Sequence, residues 1–340
     1  MECKISSLIL KTNLNLKSKL IDLQFTTKIP IGKFENPITY ESKLLALGSC
    51  FSENIAEKFQ YYKFQTATNP FGIIFNPVSI ENLIKRAVNK LDFTENDIFF
   101  HNELWHCYEV HSELSNSDKD VFLNTLNELI ATTHNQILSL THCFITLGTS
   151  WIYRNVASEQ IVANCHKVPQ KEFTKELLSI AVIEESLANC ITLIHSINPN
   201  CNLIFTVSPV RHIKDGFVEN TLSKAHLITA LQSVLKTEKC SLDTEYFPSY
   251  EIMMDELRDY RFYADDLLHP SKMAVDYIWE RFAKAMISEE SQLTMEEIAT
   301  IQKGLAHRPF NPNTESHLRF VANVNGKIAK IRSEFPFISF

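Results

Sequence analysis

The stretch Lys43-Leu44-Leu45-Ala46-Leu47-Gly48-Ser49-Cys50-Phe51-Ser52 decides the fold. Its first half, KLLAL, is a short apolar run closed by a glycine, which suits a buried strand. Beyond it Phe51, Ile55 and Phe59 recur every fourth residue, the spacing of one helix face. The pattern returns twice. Cys143 to Leu147 (CFITL) ends on Gly148, and Leu203 to Val207 (LIFTV) ends on Ser208-Pro209. Only seven glycines occur in 340 residues, so a glycine at two of three strand ends marks a backbone that needs one.

Working outward, Lys19 to Phe25 alternates weakly, as an edge strand would. Ser79 opens a helix with Ile80, Leu83, Ile84, Ala87, Val88 and Leu91 on one stripe. Residues 97–111 are aromatic and alternating, with Asn102-Glu103 as the turn of a hairpin. Ser117 or Asp118 caps a helix that carries Phe122, Leu126, Leu129, Ile130 and Ile137. Further helices are predicted over Glu172 to Ile197, Thr221 to Leu235, Ser271 to Ile287 and Thr314 to Phe335. Tyr246-Phe247-Pro248 reads as a short strand or loop, and Thr294 with Glu297 as a capping box. Strands alternating with helices of this length predict an α/β fold, a three-layer doubly wound and mainly parallel sheet. The expected organisation is a tail over 1–18, an α/β domain over 19–287 and a helical C-terminal extension over 288–340.

Composition narrows the function. The net charge is −7, against the basic balance of a general nucleic-acid binder. No apolar run approaches the roughly 18 residues of a membrane span, and the opening MECKISSLILK lacks a signal-peptide core. The expectation is a cytoplasmic protein with no nucleic-acid partner. Eight cysteines are scattered without a C-x-x-C pair, as free thiols are in a reducing compartment. His106-Cys107 and His142-Cys143 are strand neighbours that point to opposite faces, so no metal site is expected, and no cofactor either.

In an open parallel sheet, ligands bind beyond the carboxyl ends of the strands. At the first end, Cys50 stands where a helix N-terminus favours a thiolate; equally, Ser49 is an N-cap and Cys50 a small filler. At the second, Gly148-Thr149-Ser150 offers donors to an oxyanion or simply a cap. Asn69-Pro70-Phe71-Gly72 lends the Gly72 N–H or is only a turn. Arg211-His212 follows the third strand, where Arg211 either holds a substrate carboxylate or phosphate or makes a surface ion pair. Asn164-Cys165-His166-Lys167 gathers polar groups after a strand. Late in the chain, Asp266-Leu267-Leu268-His269 lets a carboxylate hold an imidazole Nδ1–H and frees Nε2 as a base; equally, it is a polar loop before the Ser271 cap.

Taken together, these blocks resemble the SGNH, or GDSL-like, hydrolase superfamily. Gly48-Ser49-Cys50-Phe51-Ser52 resembles the signature of the GSCFA-domain family within it, with Ser52 where that signature ends in alanine. NPFGIIFNP (69–77), VANCHKVPQ (162–170), TVSPVRH (206–212) and ADDLLHPS (264–271) are similar to further stretches of that family. The resemblance implies an SGNH-like, flavodoxin-like fold and a hydrolase acting on ester bonds of a small-molecule acyl substrate. Cys50 takes the nucleophile position, His269 the base, and Asp266 its orienter. Ser49 falls at the position before the nucleophile. Gly72 and Ser150 fall at the oxyanion positions, with Arg211 and His212 at the same edge. Two departures stand out: Cys50 replaces the superfamily's serine, and Ser150 replaces its asparagine. An acyltransferase uses the same parts, and a ligand-binding protein keeps the fold without the chemistry. The α/β-hydrolase elbow fits less well, since it needs glycine where Ser52 stands.

Overall fold

The computed structural model describes residues 26–237 and 243–340. The tail and the edge strand read over Lys19 to Phe25 lie outside the described residues. At the centre is a five-stranded sheet of β1 (Lys43–Gly48), β2 (Gln65–Thr68), β5 (His142–Leu147), β9 (Asn202–Val207) and β10 (Thr244–Tyr246). The order is β2-β1-β5-β9-β10 and every pairing is parallel. Counted along the chain that is 2-1-3-4-5, a doubly wound order whose switch point lies between β1 and β5.

Alternation along the strands explains why the sheet is covered on both faces. Leu45, Cys143, Ile145, Leu203 and Phe205 point into one core with α2 (Pro77–Asn89), α3 (Lys119–Ser139), α4 (Ile180–Ile197) and α5 (Phe217–Leu235). Leu44, Ala46, Phe144 and Ile204 point into the other, with α1 (Cys50–Tyr61) and α7 (Lys272–Met286). The C-terminal helices α8 (Glu289–Ala306) and α9 (Glu315–Glu334) join that second core through Met295, Ile298, Ile301, Val324 and Ile331. The extension is therefore packed on the α/β body.

Two antiparallel pieces sit on this frame. The hairpin of β3 (Ile98–His101) and β4 (Leu104–Cys107) turns at Asn102 and Glu103, both with positive φ, the demand of a two-residue turn. A small sheet of β7 (Ile161–Val162), β6 (Trp151–Asn155) and β8 (Phe173–Leu177) follows β5.

The sequence reading is corrected here at several points. The helix predicted from Glu172 begins only after Ser179, whose side chain accepts from Val182 N. Residues 173–177 pair with β6 instead, because Trp151–Asn155 supplies a partner edge that local propensity does not foresee. The α2 helix starts at Pro77 under an Asn76 cap, before Ser79. The α5 helix starts at Phe217, not Thr221. Ser288 caps α8, which places Thr294 and Glu297 inside the helix. Among the described residues, α4 is long and apolar enough by composition to cross a membrane, with mean hydropathy 1.4. No such run was expected, because Glu184 and Glu185 interrupt it. Its Ile183, Leu187, Cys190 and Ile194 are buried in the core.

Candidate active site

The loops beyond the carboxyl edge of the sheet carry the expected residues, and Gly48 sets the first of them. Its φ is +127°, and a Cβ there would lie 2.1 Å from Thr146 O of the adjacent strand. Gly48 N donates to Asn69 Oδ1 at 2.9 Å, and Asn69 Nδ2 donates to Ser52 Oγ at 3.3 Å. Asn69 thus ties the loop after β2 to the β1–α1 turn. Ser49 is buried and caps α1, accepting from Phe51 N at 3.3 Å. That leaves Cys50, half-buried at the first helical position, as the reactive-type side chain of the turn.

Burial pushes the Cys50 thiol up, and the Glu53 charge adds to it; its own N–H, the Lys224 charge and the Phe51 N–H act the other way. The expected lowering by the helix N-terminus is outweighed. Desolvation acts on the whole thiolate, and Glu53 stands one turn along the same helix.

The Asp266–His269 pair is better defined. His269 Nδ1 lies 2.6 Å from Asp266 Oδ2, and Asp266 Oδ1 accepts from the backbone N–H groups of Leu268 and His269 at 2.9 and 3.0 Å. These bonds, the His269 N–H first, hold the Asp266 carboxyl down at about 2. An ionised carboxylate only accepts, so Nδ1 carries the proton and, in the neutral imidazole, Nε2 is the acceptor. Leu267 holds a φ of +59°, rare for such a side chain. The turn is fastened to the stretch after β9: Arg211 N donates to Leu268 O at 3.1 Å, and Arg211 Nη1 to Leu267 O at 3.2 Å.

His269 lines a cleft of about 500 Å³ with Phe75, Thr149, Trp151, Arg211 and His212. Cys165 and Asn164 of the 164–167 segment line it too. Neighbouring His166 turns inward, its Nε2 2.7 Å from Cys107 O. Burial pushes the His212 imidazole down to about 3, helped by the Lys224 and His269 charges. Its Nε2 is buried without a hydrogen-bond partner. Cys50 lies outside this lining, and no hydrogen bond joins its Sγ directly to His269.

Two expected oxyanion donors are committed elsewhere. The Gly72 N–H donates to Asn69 O at 2.7 Å. Gly72 has a φ of +77°, and a Cβ there would lie 2.3 Å from His111 Cβ. Ser150 is fully buried, its N–H donating to Ser223 Oγ at 2.8 Å and its Oγ to Ser223 O at 3.0 Å. A serine is shorter than an asparagine and folds back onto α5. Cys50 N–H, at the first position of α1, has no intrahelical acceptor and acts on the Cys50 sulfur.

Sequence reasoning missed Lys224. It lies inside an apolar helix stripe, yet its Nζ donates to Gly148 O at 2.6 Å and to Ser208 O at 2.7 Å. These are the carbonyls just past β5 and β9. Burial pushes its ammonium down to about 7, opposed by the charge of Cys50. An unfolded lysine titrates near 10.4. The unfolded chain therefore binds more protons than the folded one between about pH 7 and pH 10, and stability from this group rises with pH across that window. Lys224→Met is expected to abolish that rise, read from urea midpoints at pH 7 and pH 9.

An α/β frame with an Asp–His pair and a thiol at one sheet edge defines the class. The GSCFA family model matches residues 43–282, and that of the GSCFA domain protein, C-terminal domain, matches 298–340. The chain belongs to the GSCFA family. No curated protein matches it.

Proposed function

We propose that the protein is an SGNH-like hydrolase of ester bonds in which Cys50 attacks the acyl carbon. The observation that carries this reading is the Asp266–His269 pair, its Nδ1 and Oδ2 2.6 Å apart, with His269 in the cleft beyond the carboxyl ends of β5 and β9. His269 Nε2 takes the thiol proton and returns it to the leaving alcohol. Cys50 N–H, at the helix N-terminus, meets the developing oxyanion. Closing the gap between Cys50 and His269 falls to the substrate complex, where catalytic hydrogen bonds tighten. Acyl transfer differs only in the acceptor of the second step.

A ligand-binding protein is the second reading, favoured by the commitment of Gly72 N–H and Ser150 to internal bonds. An ester and thioester screen of wild type beside Cys50→Ala separates the two. Turnover by wild type alone supports the hydrolase; binding without turnover in both supports the binder.

Charge in the cleft narrows the substrate. Lys175, Arg211 and Lys214 line it against Asp215, and Asp215 pairs with Lys175. Arg211 and Lys214 have no carboxylate partner among the described residues, in a chain of net charge −7. An acyl group that carries its own carboxylate fits them. Arg211→Met is expected to raise KM about tenfold more for such an ester than for a neutral one, about 1.4 kcal/mol, with kcat lowered for both because Arg211 Nη1 also holds Leu267 O.

A further inference from the structure

We infer that His212 is the side chain that holds the carbonyl oxygen of a bound acyl group, donating its Nδ1–H at the switch point between β1 and β5, where Ser150 supplies no donor. In a doubly wound sheet the ligand lies at that switch point. One short segment spans it here. Ile74 N donates to Gly48 O at 3.2 Å, and Gly148 N donates to Phe75 O at 2.7 Å, so this segment ties the end of β1 to the end of β5. His212 reaches over the bridge from the stretch after β9. Its ring stacks on Phe75, with centres 5.7 Å apart and planes 30° apart. Its Nε2 packs on Gly148, 3.4 Å from where a Cβ would lie. Such a Cβ would also meet Phe75 Cβ at 2.7 Å, so glycine lets the ring and the strand end approach. The His212 N–H donates to Asn220 Oδ1 of α5 at 2.8 Å and fixes the turn that carries the ring.

Hydrogen-bond counting assigns the proton. Nε2 is buried and has no partner. Among the described residues Nδ1 bonds no protein group either, and the ring lines the cleft of about 500 Å³. An orphaned buried N–H is rarer in folded proteins than an unused buried acceptor. The proton therefore sits on Nδ1, and Nε2 keeps the idle lone pair. Nδ1–H is left to meet whatever the cleft holds. Burial, helped by the Lys224 and His269 charges, keeps the ring neutral. An uncharged donor suits a carbonyl oxygen, as the guanidinium of neighbouring Arg211 suits a carboxylate. Two other donors of the wall are already spent. Thr149 Oγ1 bonds Ser223 Oγ at 2.8 Å, and Trp151 Nε1 donates to Glu219 O at 3.2 Å.

The inference rests on the cleft as the acyl-binding site, which the hydrolase and binding-protein readings share, and its readout is binding, so a failure of the hydrolase reading leaves it testable. The probes are levulinate, which carries a carboxylate and a ketone carbonyl, and valerate, which lacks the carbonyl. Both are titrated into the protein by NMR. Wild type is expected to bind levulinate about tenfold more tightly than valerate. His212→Phe keeps a ring on Phe75 and is expected to bring that ratio to about one. His212→Asn places an amide N–H near the Nδ1 position and is expected to restore most of it; His212→Gln, whose amide falls near the Nε2 position, is not. Equal binding of the two acids by wild type, or a ratio that survives in folded His212→Phe, reduces His212 to a strut and overturns the inference. The second arm needs no ligand. In protein carrying isotope-labelled histidine, the His212 signals, identified by their loss in His212→Phe, are expected to show Nδ1 protonated and Nε2 bare. The opposite tautomer overturns the inference. If neither acid binds, the carboxylate reading of the cleft has failed and the tautomer alone decides.

Discussion

Cys50→Ala and His269→Ala are each expected to lower kcat/KM on a screened ester by about a thousandfold or more. The first removes the only side chain of the Gly-Ser-Cys turn free to attack. Ser49 cannot replace it, since it is buried and spent on capping α1. The second removes the acceptor for the thiol proton. Because the two act as a unit, the double variant is expected to cost about as much as either single change. Asp266→Asn keeps the loop shape but presents an amide to Nδ1, which stabilises the wrong tautomer. Its loss is expected to fall on kcat, with KM nearly constant. Steady-state kinetics of the four variants on one substrate check all of this.

Gly48→Ala is expected to be the most damaging change to stability at the site. The residue sits at φ +127°, which side chains avoid. The added Cβ would lie 2.1 Å from Thr146 O, a backbone atom of the neighbouring strand that cannot swing aside. Relief requires β1 and β5 to part at the register that joins Gly48 to Thr146. The expected cost is above about 4 kcal/mol, or roughly 6 °C in Tm for a chain of this size. Gly326→Ala is the control. It lies within α9 with nothing inside 4 Å of its Cβ position, so it is expected to gain about 0.5–1 kcal/mol from helix propensity. Thermal unfolding of both variants checks the contrast.

The features legible in the sequence were those fixed by local physics. KLLAL and CFITL, closed by glycine, and LIFTV, closed by Ser208-Pro209, are interior strands because a short apolar run closed by such a breaker has few other uses. Asp118, Ser271 and Thr314 cap helices as their side chains predict. Asp266 and His269 meet because they stand three positions apart in one loop. The rest depends on partners far along the chain. Residues 173–177 become a strand because Trp151–Asn155 offers an edge. Ser150 turns away because Ser223, 73 residues later, accepts it. Lys224 was invisible for the same reason: it looks like a polar position on a helix until Gly148 O and Ser208 O come to it. The upward push on Cys50 follows from burial, which the helix-terminus argument alone does not weigh.

The central claim is that Cys50 carries the acyl group, and the most direct measurement is to trap it. Wild-type protein is mixed with a panel of activated esters and thioesters, quenched in acid within seconds, digested and read by mass spectrometry. The account predicts a thioester adduct on the peptide that contains Cys50, absent in Cys50→Ala and strongly reduced in His269→Ala. Hydrolysis of a panel substrate with no adduct on Cys50, or adducts spread evenly over Cys50 and the cleft residue Cys165, would contradict it.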